Sequence, residues 1–253
     1  GDVCRPLPGG DDDVDAGPAL AVDAGATTDA APTCGPCPSG ICQGGVCVGQ
    51  AAGHVVLVGH DYRVHHAAAA RLLGNAAALG ARPSVRVAMF LDDASDPEII
   101  AVERALDTGL AAVGRTWSTV APELVGAGED APVDVVLVLP RPTSAAASFA
   151  AGESWRAPLT AFVAGGGTVI GLEGPDSSTS DFLRGAALLD TTRDALATGE
   201  EVTVVVPTDA LAVAVPSPYL AARGSTTFTV AAGAIAVATS GGAPIVLHAA
   251  WPR

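Results

Sequence analysis

Cys34-Gly-Pro-Cys37-Pro-Ser-Gly-Ile-Cys42-Gln-Gly-Gly-Val-Cys47 sets four thiols within fourteen residues. Thiols this dense bind a metal, exchange electrons or pair as disulfides. A zinc ribbon needs two Cys-x-x-Cys hooks, and only Cys34 and Cys37 make one, because Cys42 and Cys47 stand four residues apart. The expected metal set is none. A redox pair would follow a strand and open a helix, whereas Cys34 and Cys37 lie among Gly and Pro. A coreless segment must be stapled, so two disulfides are expected among Cys34, Cys37, Cys42 and Cys47, with three pairings open. Cys4 leaves the count odd, and an intermolecular bridge or a free thiol suits it better than lipidation.

A second chemical set follows the apolar runs of the later chain. His60, Asp61, Tyr62 and Arg63 follow the first, Asp92 and Asp93 the second, Arg141, Thr143 and Ser144 the third, Glu173 and Asp176 the fourth. The ligand-binding candidates are His60, Asp61, Asp92, Asp93, Ser144 and Glu173. Carboxylates and imidazoles converging there would suit acid/base, metal or glycosidic chemistry. Asp61 and Glu173 are expected to face one crevice, poised for sugar hydroxyls or a cation. The plainer alternative is a solvated rim in which Asp93 or Ser95, and Ser144, merely start helices. Ser144 with His248 as its base is the nucleophile alternative. His65 and His66 are adjacent, so one helix would splay them by about 100° and deny both to a single metal.

The elements that must position these residues read from hydrophobic pattern. His54 to Gly59, Val85 to Leu91, Val133 to Leu139 and Thr168 to Leu172 are apolar without alternation, as strands buried on both faces require. Between them Val64 to Leu79, Asp96 to Leu110 and Trp155 to Ala164 have helical spacing, and Asp96-Pro97-Glu98 carries helix-start signals. Phe182 to Leu189 reads as helix. Val202 to Val206, Thr226 to Val230, Ile235 to Ala238 and Ile245 to His248 read as strands. The alternation predicts an α/β fold with a doubly wound, flavodoxin-like, mostly parallel sheet. Ligands of such sheets bind beyond the carboxyl ends of the strands, near the switch in strand order.

Three regions divide the 253 residues: an acidic Ala/Asp/Gly/Pro spacer at 1–33, the Cys-rich segment at 34–50 and the α/β domain at 51–253. The spacer has no apolar periodicity and repeats Val-Asp-Ala-Gly at 14–17 and 22–25, so it is expected to be solvated and dispensable for folding. Its Asp11, Asp13 and Asp15 alternate like a calcium loop, but Ala16 replaces the turn glycine and Val22 the closing glutamate. With 13 basic and 27 acidic residues the formal charge is −14, which argues against a nucleic-acid partner. No apolar run approaches the roughly 18 residues of a membrane span. A chain starting at Gly1 suggests a removed leader, and the dense cysteines suggest export to the extracellular space or cell surface.

Leu159-Thr-Ala-Phe-Val-Ala-Gly-Gly-Gly-Thr-Val-Ile-Gly-Leu-Glu173 resembles a block of the trehalose-utilisation ThuA-like family, within the class I glutamine amidotransferase-like superfamily. Gly59-His60, the Val133 to Leu139 run, Pro207 to Leu211 and Val215-Pro216 are similar to that family in order. The resemblance covers most of 51–253 and implies an amidotransferase-like domain. Glu173 stands where the family carries a strand-end histidine, and no cysteine follows Cys47, so the amidase nucleophile is missing. The reading leans away from an enzyme and implies no cofactor. It points to a non-catalytic module binding a protein or glycan at the cell surface, with self-association open. The alternatives are a structural subunit of an extracellular assembly and a secreted carbohydrate-active hydrolase.

Overall fold

The computed structural model describes residues 42–43, 46–47 and 51–252, except 81, 93 and 126–132. The spacer, the thiol chemistry of the Cys-rich segment and Asp93 therefore lie outside the described residues. Strands β1 (Cys42–Gln43) and β2 (Val46–Cys47) pair antiparallel.

The domain then runs β3 (Ala51–Val58), α1 (Ala67–Ala77), β4 (Ser84–Phe90), α2 (Asp96–Ala111), β5 (Thr116–Val120), β6 (Val135–Val138), α3 (Ala145–Ala164), β7 (Thr168–Leu172) and α4 (Thr179–Gly185). It continues through β8 (Arg193–Leu196), β9 (Glu201–Val204), β10 (Tyr219–Leu220), β11 (Thr226–Phe228), β12 (Ile235–Ser240) and β13 (Ala243–Pro252). Nine of these strands form one sheet in the order β10-β9-β12-β13-β3-β7-β6-β4-β5. From β3 to β5 all neighbours are parallel; from β3 to β10 all are antiparallel. The architecture is thus mixed α/β about a parallel core, and the strand-rich last third extends the same sheet.

Burial explains the sequence pattern. β6 and β7 are buried at every residue, because helices cover both faces of the parallel half. Val56, Val58, Val87 and Met89 pack with α1 and α2 on one face, whereas Val55, Leu57, Val136 and Val138 pack with α3 and α4 on the other. Successive side chains alternate between faces, so each strand serves two cores at once.

The elements depart from expectation in several places, among them α4, which covers Thr179–Gly185 instead of Phe182 to Leu189, and the unexpected short strands β8 and β10. His65 and His66 precede α1 instead of lying in it, because Asp61 Oδ1 accepts the Arg63 N–H at 3.0 Å and holds a local turn that competes with helix. Helix α3 starts at Ala145, ten residues before Trp155. Its first half is rich in alanine, which favours helix strongly but leaves no apolar-polar contrast to read. Strand β5 carried no apolar signal, since Thr116, Ser118 and Thr119 are exposed on an edge strand.

Candidate functional site

The parallel strands deliver their loops to one end of the sheet in a way fixed by strand order. The connection after β3 leads to α1 and that after β7 to α4, on opposite faces, although β3 and β7 are neighbours. The neighbours β4 and β6 diverge likewise, through α2 and α3. Loops that part in this way leave a crevice between them. A cleft of about 260 Å³ lies there, lined by Arg63, Ser95, Glu98, Pro140, Pro142, Gly174, Pro175, Asp176 and Ser177.

Its walls are pre-formed. Ser178 donates from N to Arg141 O at 3.0 Å and from Oγ to Thr143 O at 3.0 Å, and Thr179 Oγ1 donates to Leu139 O at 3.2 Å. These bonds stitch the loop after β7 to the loop after β6. Arg193 reaches across to donate to Pro175 O at 2.5 Å and Ser177 O at 3.2 Å. Three prolines stiffen the same walls further.

The strand-end acids are committed to this scaffold. Glu173 is fully buried, accepting the Ser180 N–H at 2.6 Å and the Ser177 hydroxyl, so it closes the start of α4 from within. Burial raises its carboxyl above the usual range, against the lowering effect of those hydrogen bonds. Asp61, also buried, is clamped by Arg63, whose Nε and Nη2 donate to its two oxygens at 2.9 and 2.8 Å. Behind it Gly224 has φ +86, and a Cβ there would stand 2.6 Å from Asp61 Oδ2, so only glycine fits. Asp92 is exposed, with its Oδ2 3.7 Å from Nη1 of the buried Arg141, which also lies over the Phe182 ring.

The remaining candidates have structural partners too. Ser144 is the N-cap of α3, its Oγ accepting the Ala147 N–H at 3.2 Å. His60 is buried between Tyr219 OH, 2.7 Å from Nε2, and Ser225 Oγ, 3.3 Å from Nδ1. Burial, aided by His66, pushes its pKa down to about 3, so the ring is neutral near pH 7. His248 is wholly buried and bonded at both ring nitrogens, to Asp209 and His54, which denies it the role of base to Ser144.

Of the five candidates among the described residues, therefore, none lines the cleft; it is lined by their neighbours. Arg63 presents a half-exposed guanidinium, with Glu98 and Asp176 acting on it besides Asp61, so among the described lining residues two acids accompany this cation. Glu98 had passed for a helix-start residue, and it does serve as one, accepting from Ser95 N and Oγ at 3.0 and 2.9 Å. A usable signal was the proline spacing, since Pro140, Pro142 and Pro175 all fall in the loops that follow β6 and β7. Among the described residues no group of three His, Cys, Asp or Glu is arranged to hold a metal ion. No protein-family model matches the chain, and neither curated proteins nor solved structures give a match.

Proposed function

We propose that the chain is an exported, non-catalytic binding module whose α/β domain receives a protein or glycan determinant in the strand-end cleft. The observation that carries this reading is the state of the acids around it. Glycosidic or general acid-base chemistry needs carboxylates free to exchange protons with a substrate. Here Glu173 is spent beneath the floor, Asp61 is clamped by Arg63 and Glu98 caps α2, so Asp176 stands as an exposed carboxylate of the lining without a paired acid placed beside it for two-carboxylate chemistry. What faces the opening is a rigid wall of proline and glycine edged by Arg63, Glu98, Asp176 and Ser177, an arrangement that selects a shape and a few hydrogen bonds.

The finer fold reading belongs to the same proposal. In a flavodoxin-like sheet the order is 2-1-3-4-5. β4, β5, β6 and β7 occupy the first four places in that numbering, and β3 fills the fifth although it comes first in the chain. The helices divide between the faces accordingly, α1 with α2 and α3 with α4. The likeness of the Leu159 to Glu173 block to the ThuA-like family fits this domain, since its three glycines carry the chain from α3 into β7. Export rests on the cysteine-dense segment.

Glycan-array and calorimetric binding with the full chain tests the function. Arg63→Ala and Asp176→Ala should each weaken a ligand found this way by about tenfold to a hundredfold, as loss of one polar contact predicts. A ligand bound equally by wild type and both variants would remove the cleft from the function. Turnover of that ligand would replace the binding reading with an enzymatic one.

A further inference from the structure

We propose that Asp209, His248 and His54 form an acid-sensitive latch that holds the 205–218 segment against α1 and the sheet, and that loading both imidazoles with protons opens it. His54 on β3 and His248 on β13 come from positions 194 residues apart, and His54 Nδ1 lies 3.0 Å from His248 Nε2. His248 Nδ1 lies 2.9 Å from Asp209 Oδ2, and Asp209 Oδ1 accepts the Leu211 N–H at 2.8 Å. Asp209 and His248 are fully buried and His54 is nearly so. Three groups able to carry charge thus stand in a line inside the protein.

The line tolerates one proton but not two. A carboxylate takes the Nδ1–H of His248, so at neutral pH His248 Nε2 accepts the Nδ1–H of His54. A first added proton enters at His54 Nε2 and shifts the shared hydrogen to His248, leaving an imidazolium facing Asp209. A second puts hydrogens on both facing nitrogens, and two N–H groups 3.0 Å apart repel. Burial and the neighbouring His248 push the His54 pKa down to about 4, with Asp209 opposing. Among the described residues, the other polar groups packed on this side are Thr168, paired with His54 from β7, Asn75 of α1, and the Arg71 guanidinium of α1, which meets the Val213 carbonyl nearer the surface.

The segment is also tied to the sheet at its two ends, where Val205 N donates to Val237 O at 2.9 Å and Ser217 Oγ accepts the Val204 N–H at 3.0 Å, and to α1 between them. Asn75 Nδ2 donates to Leu211 O and Val213 O, both at 2.8 Å, and Arg71 Nε to Val213 O at 3.1 Å. Its far end runs into Tyr219, whose hydroxyl meets the neutral His60.

Hydrogen exchange of the full chain between pH 7 and pH 3.5, corrected for intrinsic rates, reads the latch. Peptides from 205–220 should lose protection near pH 4 while 168–186 retains it. His54→Gln keeps a donor toward His248 without a titrating ring, and should move that loss at least one pH unit lower. Should that variant fail to fold, imidazole nitrogen NMR of the wild type decides, because protonation of His54 must coincide with the loss. Retained protection through the His54 titration, simultaneous loss in both regions, or an unshifted His54→Gln profile would overturn the proposal.

Discussion

Gly74 of α1 and Gly109 of α2 bring the two helices into backbone contact: a Cβ on Gly74 would overlap the Gly109 main chain, and one on Gly109 would strike the Ala70 carbonyl. Neither obstacle is a flexible side-chain tip, so the helices would have to part, and with them the core between α1, α2 and the sheet.

Gly109→Ala should therefore cost about 2 to 4 kcal/mol despite the better helix propensity of alanine, since overpacking of this kind is relieved only by moving a helix. Urea denaturation measures it. Gly80→Ala is the control, because nothing lies within 4 Å of a Cβ there, and it should stay within about 0.5 kcal/mol of wild type.

Glu173 gives a pH dependence of definite sign. Its folded-state pKa is raised by burial, so it stabilises the fold most below the ordinary carboxyl range and loses that contribution as pH rises through its folded value. Glu173→Gln removes the titration and keeps the shape. Relative to wild type the variant should gain stability over the interval from the ordinary carboxyl range up to neutral pH. A relative loss over that interval would mean that the Ser180 N–H and Ser177 hydroxyl require the ionised form.

Two disulfides among Cys34, Cys37, Cys42 and Cys47 remain the expectation for the N-terminal segment. Alkylation of the protein before and after reduction, read by intact mass, should show four of its five thiols protected until reduced. Four reactive thiols without reduction, or a bound metal in stoichiometric amount, would be the contrary result.

Much of the scaffold was legible because burial on both faces writes itself as an unbroken apolar run. Thr168–Leu172 is such a run, and it is a central strand over those residues. Polar edges do not announce themselves: β8 is exposed throughout and reads as loop. The cleft was legible as a place but not as a set of residues. That Glu173 turns inward depends on Ser180, seven residues on, and that His60 is sealed depends on Tyr219, 159 residues away. The Tyr219 partner is fixed only by the assembled chain, and no local spacing encodes it.

The placement of β3 also orders events in time. It is the first strand of the sheet in sequence, yet one edge is covered by β13, the last, in a ladder from Val58 opposite Val246 to Ala51 opposite Pro252. During synthesis that edge stays open until the final strand emerges, whatever the earlier helices have done. Non-local pairing of this kind makes closure slow and late. A chain cut short before Ala243 would expose the unpaired main chain of β3, so a stalled or clipped product should aggregate or be degraded, and molecules that retain β13 should persist.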